Sequence, residues 1–218
     1  MPVRRIGLCY RSVSGRVPMG AGRPAVAVES TLERDFAILQ RFDPEVSHIE
    51  EQPVRIEYRD AAGARRRYVP DFLVHYVHPG RSPHLVEVKF STDPMLVGGN
   101  LDERLAAARA YAAQRGWTFA VVTEKEIRTP RLANVTFLVG FLGRTANAAI
   151  RAPLLTALRA SPKAVEALAS EVAGAAGVGR GEVLPTIWAM LARSELIADL
   201  ESPLTMLSEL YLPEERQP

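Results

Sequence analysis

The stretch Arg66–Phe90, RRYVPDFLVHYVHPGRSPHLVEVKF, decides the reading of this chain. Arg66 to Val77 has the alternation and the β-branched and aromatic content of a long strand, and His78 to Pro83 is a turn signal. Leu85 to Phe90 is a short apolar-rich strand interrupted by Glu87 and Lys89. Side chains alternate along a strand, so Glu87 and Lys89 point one way while Val86, Val88 and Phe90 point the other. Asp71 shares a side with Val69, Leu73 and His75. If the two strands pair, Asp71 and Glu87 converge, with Lys89 beside them. Each piece alone has an ordinary reading: Pro70-Asp71 as turn residues at a strand entry, Glu87-Val88-Lys89 as a half-exposed strand with a cross-strand ion pair. Together they place Asp, Glu and Lys where the neighbours are apolar, a conflict with core formation of the kind that marks function.

Two carboxylates are hard oxygen donors of the kind Mg²⁺ prefers, with Mn²⁺ able to substitute, and the backbone carbonyl of Val88 can complete such a shell. A metal there polarises a phosphate and lowers the pKa of a bound water. Lys89 can orient that water and offset transition-state charge, a contact worth roughly 10²- to 10³-fold in rate. The residue types therefore point to a Mg²⁺-dependent phosphodiesterase acting on a nucleic-acid backbone.

Upstream, residues 30–42, STLERDFAILQRF, space Leu32, Phe36 and Leu39 as a helix does. Ser30 is the expected N-cap, Glu33 completes a capping box, and Asp43-Pro44 ends the helix. Glu33 can also hold a second metal or a water at the carboxylate site, and Glu29 is its substitute if the helix reaches that far. Val54 to Tyr58 alternates as a strand before the turn Asp60 to Gly63. Downstream, Leu101–Arg115 reads as a helix closed by Gly116, Trp117–Val122 as a strand buried on both faces, and Arg131–Leu142 as a further helix. The order helix, three strands, helix, strand, helix gives a mixed α/β sheet covered by helices.

Residues 143–149 read as a linker. Beyond them, helices over 151–160, 162–173 and 182–193 and a short strand over 196–200 suit a winged-helix-like unit, and a simple three-helix bundle fits nearly as well. The expected organisation is a basic arm over 1–28, a catalytic domain over 29–145 and a helical domain over 150–218.

The net charge of +2 is unevenly spread. Residues 1–28 carry Arg4, Arg5, Arg11, Arg16 and Arg23 and no acid. Such an arm can follow a phosphate backbone or be a solvated, partly disordered leader. Arg65, Arg66 and Arg67, ahead of Asp71, can guide phosphates or simply start a solvated strand. Cys9 is the sole cysteine, which excludes an internal disulfide and a thiolate zinc site and fits a reducing cytoplasm. No 18-residue apolar run occurs, so neither a membrane span nor a secretory signal is expected. His75, His78 and His84 crowd the decisive stretch, but their spacing does not favour a shared transition metal. His48 reads as a structural loop residue, and Trp188, with Ile187 and Leu191, as core.

The pattern Pro70-Asp71 … Glu87-Val88-Lys89 resembles the PD-(D/E)xK, restriction-endonuclease-like superfamily. More narrowly, Ser14-Gly15-Arg16, the run from Glu29 to Phe36, Phe42 to Val46, Glu51 to Val54, Tyr68 to Phe72, Val86 to Lys89 and Thr123 to Arg128 resemble the TnsA-type endonuclease subunit of heteromeric transposases. That resemblance covers about the first 130 residues. It implies a restriction-endonuclease-like fold in which Glu33, Asp71 and Lys89 occupy the catalytic positions and Glu87 the variable acidic one. It places Gln52 near the site. It implies DNA at transposon ends as substrate, cut on the strand that an RNase-H-like integrase partner leaves intact. It further implies a C-terminal part that contacts DNA or an AAA+ ATPase regulator. The alternatives are a stand-alone restriction or repair nuclease of the same fold, and a non-catalytic DNA-binding or assembly module.

Overall fold

In the computed structural model, which describes residues 15–20, 24–99 and 101–213, the chain divides after Arg128 into two compact units. The first runs through β1 (Gly15–Val17), β2 (Val26–Val28), α1 (Thr31–Phe42), β3 (Val46–Glu51), β4 (Ile56–Arg59), β5 (Arg65–Tyr68), β6 (Phe72–Tyr76), β7 (His84–Val88), α2 (Pro94–Val97), α3 (Asp102–Gln114), β8 (Thr118–Val122) and α4 (Glu124–Ile127). Its centre is a four-stranded mixed sheet in the order β3-β6-β7-β8. β6 runs antiparallel to β3 and β7, and β7 runs parallel to β8.

The two faces of this sheet bury two separate cores. On one, Phe72, Val74, Val86 and Val88 pack with Leu32 and Phe36 of α1. On the other, Leu73 and Leu85 pack with Ala108 and Ala112 of α3 and with Ile56 and Tyr68 of the β4–β5 ribbon. The alternation along β6 and β7 thus sets which residues meet which helix, as the sequence led us to expect.

The long strand expected over Arg66–Val77 is two strands in two sheets. β5 pairs with β4 in a ribbon of its own, whereas β6 joins the central sheet. Pro70, which has no N–H to give a ladder, lies between them. β3 was missed altogether, so His48 lies on a strand rather than in a loop. Part of the basic arm is also structured: Val17, Met19, Val26 and Val28 are buried in the α1-side core, where a solvated leader was an option. β8 is half-buried at most, not buried on both faces, because it is an edge strand.

The second unit holds α5 (Pro130–Val139), α6 (Ala148–Ala160), β9 (Lys163–Ala164), α7 (Val165–Ala176), α8 (Arg180–Ala192) and β10 (Glu209–Leu210). Leu154, Leu168, Ile187 and Met190 are among its fully buried side chains, and β9 pairs antiparallel with β10. α5 belongs here, so the division falls ahead of the linker expected at 143–149. The strand expected over 196–200 shrinks to a bridge between Ile197 and Tyr211. Asn134 replaces its ladder: Nδ2 donates to the carbonyls of Leu200 and Ser202, both at 2.8 Å, and Oδ1 accepts the Leu204 N–H. Trp188 is half-buried edge-on against Phe137, in keeping with a packing role. Among the described residues no helix is long and apolar enough to cross a membrane.

Candidate active site

The register Phe72↔Val86, continued one step, sets Asp71 opposite Glu87 at the mouth of the β6–β7 ladder. Asp71 Oδ2 accepts the Val88 N–H at 2.7 Å. Its own carbonyl accepts the N–H of Gln52 at 2.8 Å, tying the end of β3 to the start of β6. Glu87 is buried, at 4% exposure, yet not bare. Its Oε1 lies 2.9 Å from Lys89 Nζ, and its Oε2 accepts the Tyr68 hydroxyl at 2.6 Å.

Glu33 stands in the first turn of α1. Its N–H donates to the N-cap Ser30 Oγ at 3.1 Å, the expected half of the capping box. The other half closes elsewhere: Glu33 Oε2 accepts the N–H of Glu29, not that of Ser30. The helix begins at Thr31, so Glu29 lies outside it and does not share its face. The charges of Asp71 and Lys89 are felt with that of Glu33.

The electrostatics follow from this crowding. Burial, then the neighbouring charge of Glu87, hold the Asp71 carboxyl well above the usual carboxylate range despite Lys89. Burial likewise pushes Glu33 up. Burial pulls Lys89 down, but the attraction of Asp71 and Glu87 outweighs it and the ammonium ends above its ordinary value. Tyr68 is raised by burial and by Glu87, so its hydroxyl stays a donor at any physiological pH. Tyr68 is the site residue that sequence reading missed as such. Its signal was adjacency, two residues before Pro70, but its role depends on β5 turning toward β7 from another sheet.

The site therefore gathers Glu33, Asp71 and Glu87 around Lys89. The chemistry of these donors suits a hard divalent cation, and two of the carboxyls resist ionisation as they stand, although the oxygens of Glu33, Asp71 and Glu87 do not all come within 4.8 Å of one another. The side chain of Gln52 supports the fit. Its Oε1 is buried and has no hydrogen-bond partner among the described residues. Val88, expected as a carbonyl ligand, gives its N–H to Asp71.

The remaining candidates lie elsewhere. Arg65, Arg66 and Arg67 are exposed on β5 and, with Arg59, Tyr58 and Arg104, line an open groove on the ribbon. Arg66 is engaged by Asp60 at 2.7 Å and Arg67 by Glu57 at 3.3 Å. Arg16 is exposed on β1, while Arg4, Arg5, Arg11 and Arg23 lie outside the described residues. His75, His78 and His84 do not converge: His78 is in the turn and accepts the Gly80 N–H, and His84 meets Thr118 Oγ1.

Residues 43–124 match the family model described as the TnsA-like endonuclease N-terminal domain. No curated protein matches the chain. The matched segment runs from the end of α1 to the start of α4 and contains Gln52, Asp71, Glu87 and Lys89; it leaves Glu33 outside. This stretch is thus similar to TnsA-like endonuclease N-terminal domains.

Proposed function

We propose that this protein is a Mg²⁺-dependent endodeoxyribonuclease, the subunit of a heteromeric cut-and-paste transposase that cleaves one strand, at the 5′ ends of the transposon. The meeting of Asp71, Glu87 and Lys89 in one half-buried cluster that feels the charge of Glu33 carries this reading, and the similarity of residues 43–124 to the TnsA-like domain supports it. The side chains of Asp71, Glu87 and Glu33 and the carbonyl of Val88 would hold the metal, and Mn²⁺ would substitute. A bound ion supplies Lewis-acid polarisation of the phosphate and a water of lowered pKa.

The chain's own groups do the rest. Lys89, held protonated by its acidic neighbours, stands where negative charge grows on the attacked phosphate. Glu87 keeps that ammonium in place through Oε1, while Tyr68 fixes its Oε2. The arginine groove on β4–β5 and the arginines of the N-terminal arm would follow the phosphate backbone. In this reading the partner is an RNase-H-like integrase that cuts the other strand and joins. The helical part over 150–218 is winged-helix-like and contacts DNA or an AAA+ regulator, and the assembly works in the cytoplasm.

Plasmid nicking with Mg²⁺ or Mn²⁺, with and without a co-encoded integrase, tests the proposal. Nicking is expected in the wild type and is expected to vanish in Asp71→Ala. Cutting that persists in Asp71→Ala rejects this site. Cutting that proceeds at full rate without the integrase favours the stand-alone nuclease.

A further inference from the structure

β3 reads poorly as a strand because a bulge breaks its alternation, setting its two buried apolar residues, Val46 and Ile49, three apart, and its opposite, polar face builds a second constellation. The register of β3 on β6 shifts by one residue between Val46 and His48. The shift sets His48 directly opposite His75, and Glu50 opposite Leu73. Alternation then puts His48, Glu50 and His75 on the same face. The two imidazoles stack with centroids 4.2 Å apart and planes 5° from parallel. Glu50 Oε1 lies 2.8 Å from His75 Nε2 and 3.9 Å from His48 Nε2. On the far side of the ring, His48 Nδ1 meets the Ser47 hydroxyl at 3.1 Å. Three ligand atoms, one from each side chain, all lie within 4.8 Å of one another.

We infer that His48, Glu50 and His75 form a site for a transition-metal ion of the Zn²⁺ class. A hydrogen bond between His75 and Glu50 needs only one imidazole. It does not account for a second ligand atom within 4.8 Å of both. The stacked rings hold their nitrogen lone pairs parallel, so an ion would be taken up by a turn of the exposed His48 ring toward His75 and Glu50. Two imidazole nitrogens and a carboxylate suit Zn²⁺, Co²⁺ or Ni²⁺ and are a poor set for Mg²⁺. The Ser47 contact is the outer partner that metal-binding imidazoles usually have, fixing the ring so that the other nitrogen faces the ion. All three side chains reach solvent, so an ion can enter without the fold opening.

The site is separate from the carboxylate cluster. His75 follows Asp71 by four residues on the same face of the β6 line, roughly 13 Å along an extended chain. Two ions acting on one phosphate stand about 4 Å apart, so the two sites cannot form such a pair. What the ion would do is clip the edge strand β3 to β6. The far end of that clipped pair carries the hydrogen bond from Gln52 to Asp71.

The inference does not depend on the nuclease reading, and its test is a binding measurement. Untagged, chelator-treated full-length protein is titrated with Co²⁺, and the visible d–d absorption is followed. One equivalent is expected to give the band in the wild type and equally in Asp71→Asn, His78→Gln and His84→Gln. His48→Gln and His75→Gln are expected to lose it, and stoichiometric Zn²⁺ is expected to bleach it where excess Mg²⁺ does not. Ser47→Ala should bind roughly ten-fold more weakly. Thermal melts of the metal-free variants show whether each still folds; His48 is exposed, so His48→Gln keeps the test decisive if His75→Gln unfolds. Absence of the band in folded wild type overturns the site, as does its survival in His48→Gln or its loss in Asp71→Asn.

Discussion

Asp35 and Asp71 are two aspartates of one unit, the first buried and the second half-buried, and the chain treats them in opposite ways. Asp35, buried on α1, receives the Arg34 guanidinium at 2.7 Å and Arg128 Nε at 3.1 Å. Arg128 follows α4 and also donates to Thr31, so the pair ties α1 to the last residue of the unit. Asp71 receives one backbone N–H and faces Glu87 and Glu33, with Lys89 the ammonium beside them. A compensated buried acid fixes structure, whereas an acid left among like charges holds a place for something positive. The two kinds stand two residues apart on α1 itself, where Glu33 belongs to one set and Asp35 to the other.

The largest effect that would sharpen this contrast is in activity. Asp71→Asn and Lys89→Met should each lower Mg²⁺-dependent nicking by roughly 10²- to 10³-fold, read on a supercoiled plasmid. Stability should move the other way for Asp71→Asn. The native pKa of Asp71 lies above its unfolded value, so the folded state holds the proton more tightly. Ionising Asp71 therefore costs stability as pH rises through the native pKa, and costs nothing below the unfolded pKa of about 3.9. Urea unfolding in chelator should show Asp71→Asn more stable than the wild type at pH 8, with the gap closing toward acid pH. An unchanged gap would break the comparison.

Asp35→Ala is the mirror case. It should leave a well-folded protein weaker by about 1–3 kcal/mol, since three charge-assisted bonds are lost but both arginines can reach water. Chemical denaturation measures it, and nicking per folded molecule should be unchanged. Tyr68→Phe is expected to be smaller still: about 1 kcal/mol in stability, with more Mg²⁺ needed for half-maximal cutting and little change at saturation. A magnesium requirement identical to wild type would mean that Tyr68 does not steady Glu87.

The contrast also separates what the sequence could reveal from what it could not. Opposition of Asp71 and Glu87 was legible because alternation and a short turn are local rules, and the ladder obeys them. α1 was legible from its apolar spacing and its Ser30 cap. The break at Pro70 was hidden, because Arg66–Val77 alternates throughout while its halves serve different sheets. Sheet membership is a long-range property that no window of twelve residues contains. β3 was hidden for another reason. Its His48 and Glu50 look outward on one face, while on the other a bulge spaces Val46 and Ile49 three apart and Glu51 follows them to accept the Ala27 N–H from β2, so no two-residue period shows. The role of Tyr68 needed both: the break that frees β5 and the ribbon that brings it back over Glu87.

Gln52 carries a trade-off of its own. Its backbone sits at φ 44°, a left-handed bend that costs a residue with a Cβ about 1–2 kcal/mol and a glycine nothing. Gln52→Gly relieves that strain while keeping the N–H that reaches Asp71, and it should cut more slowly for want of the amide oxygen. A variant that folds as well as the wild type yet cuts more slowly would show that the bend serves the site rather than the fold.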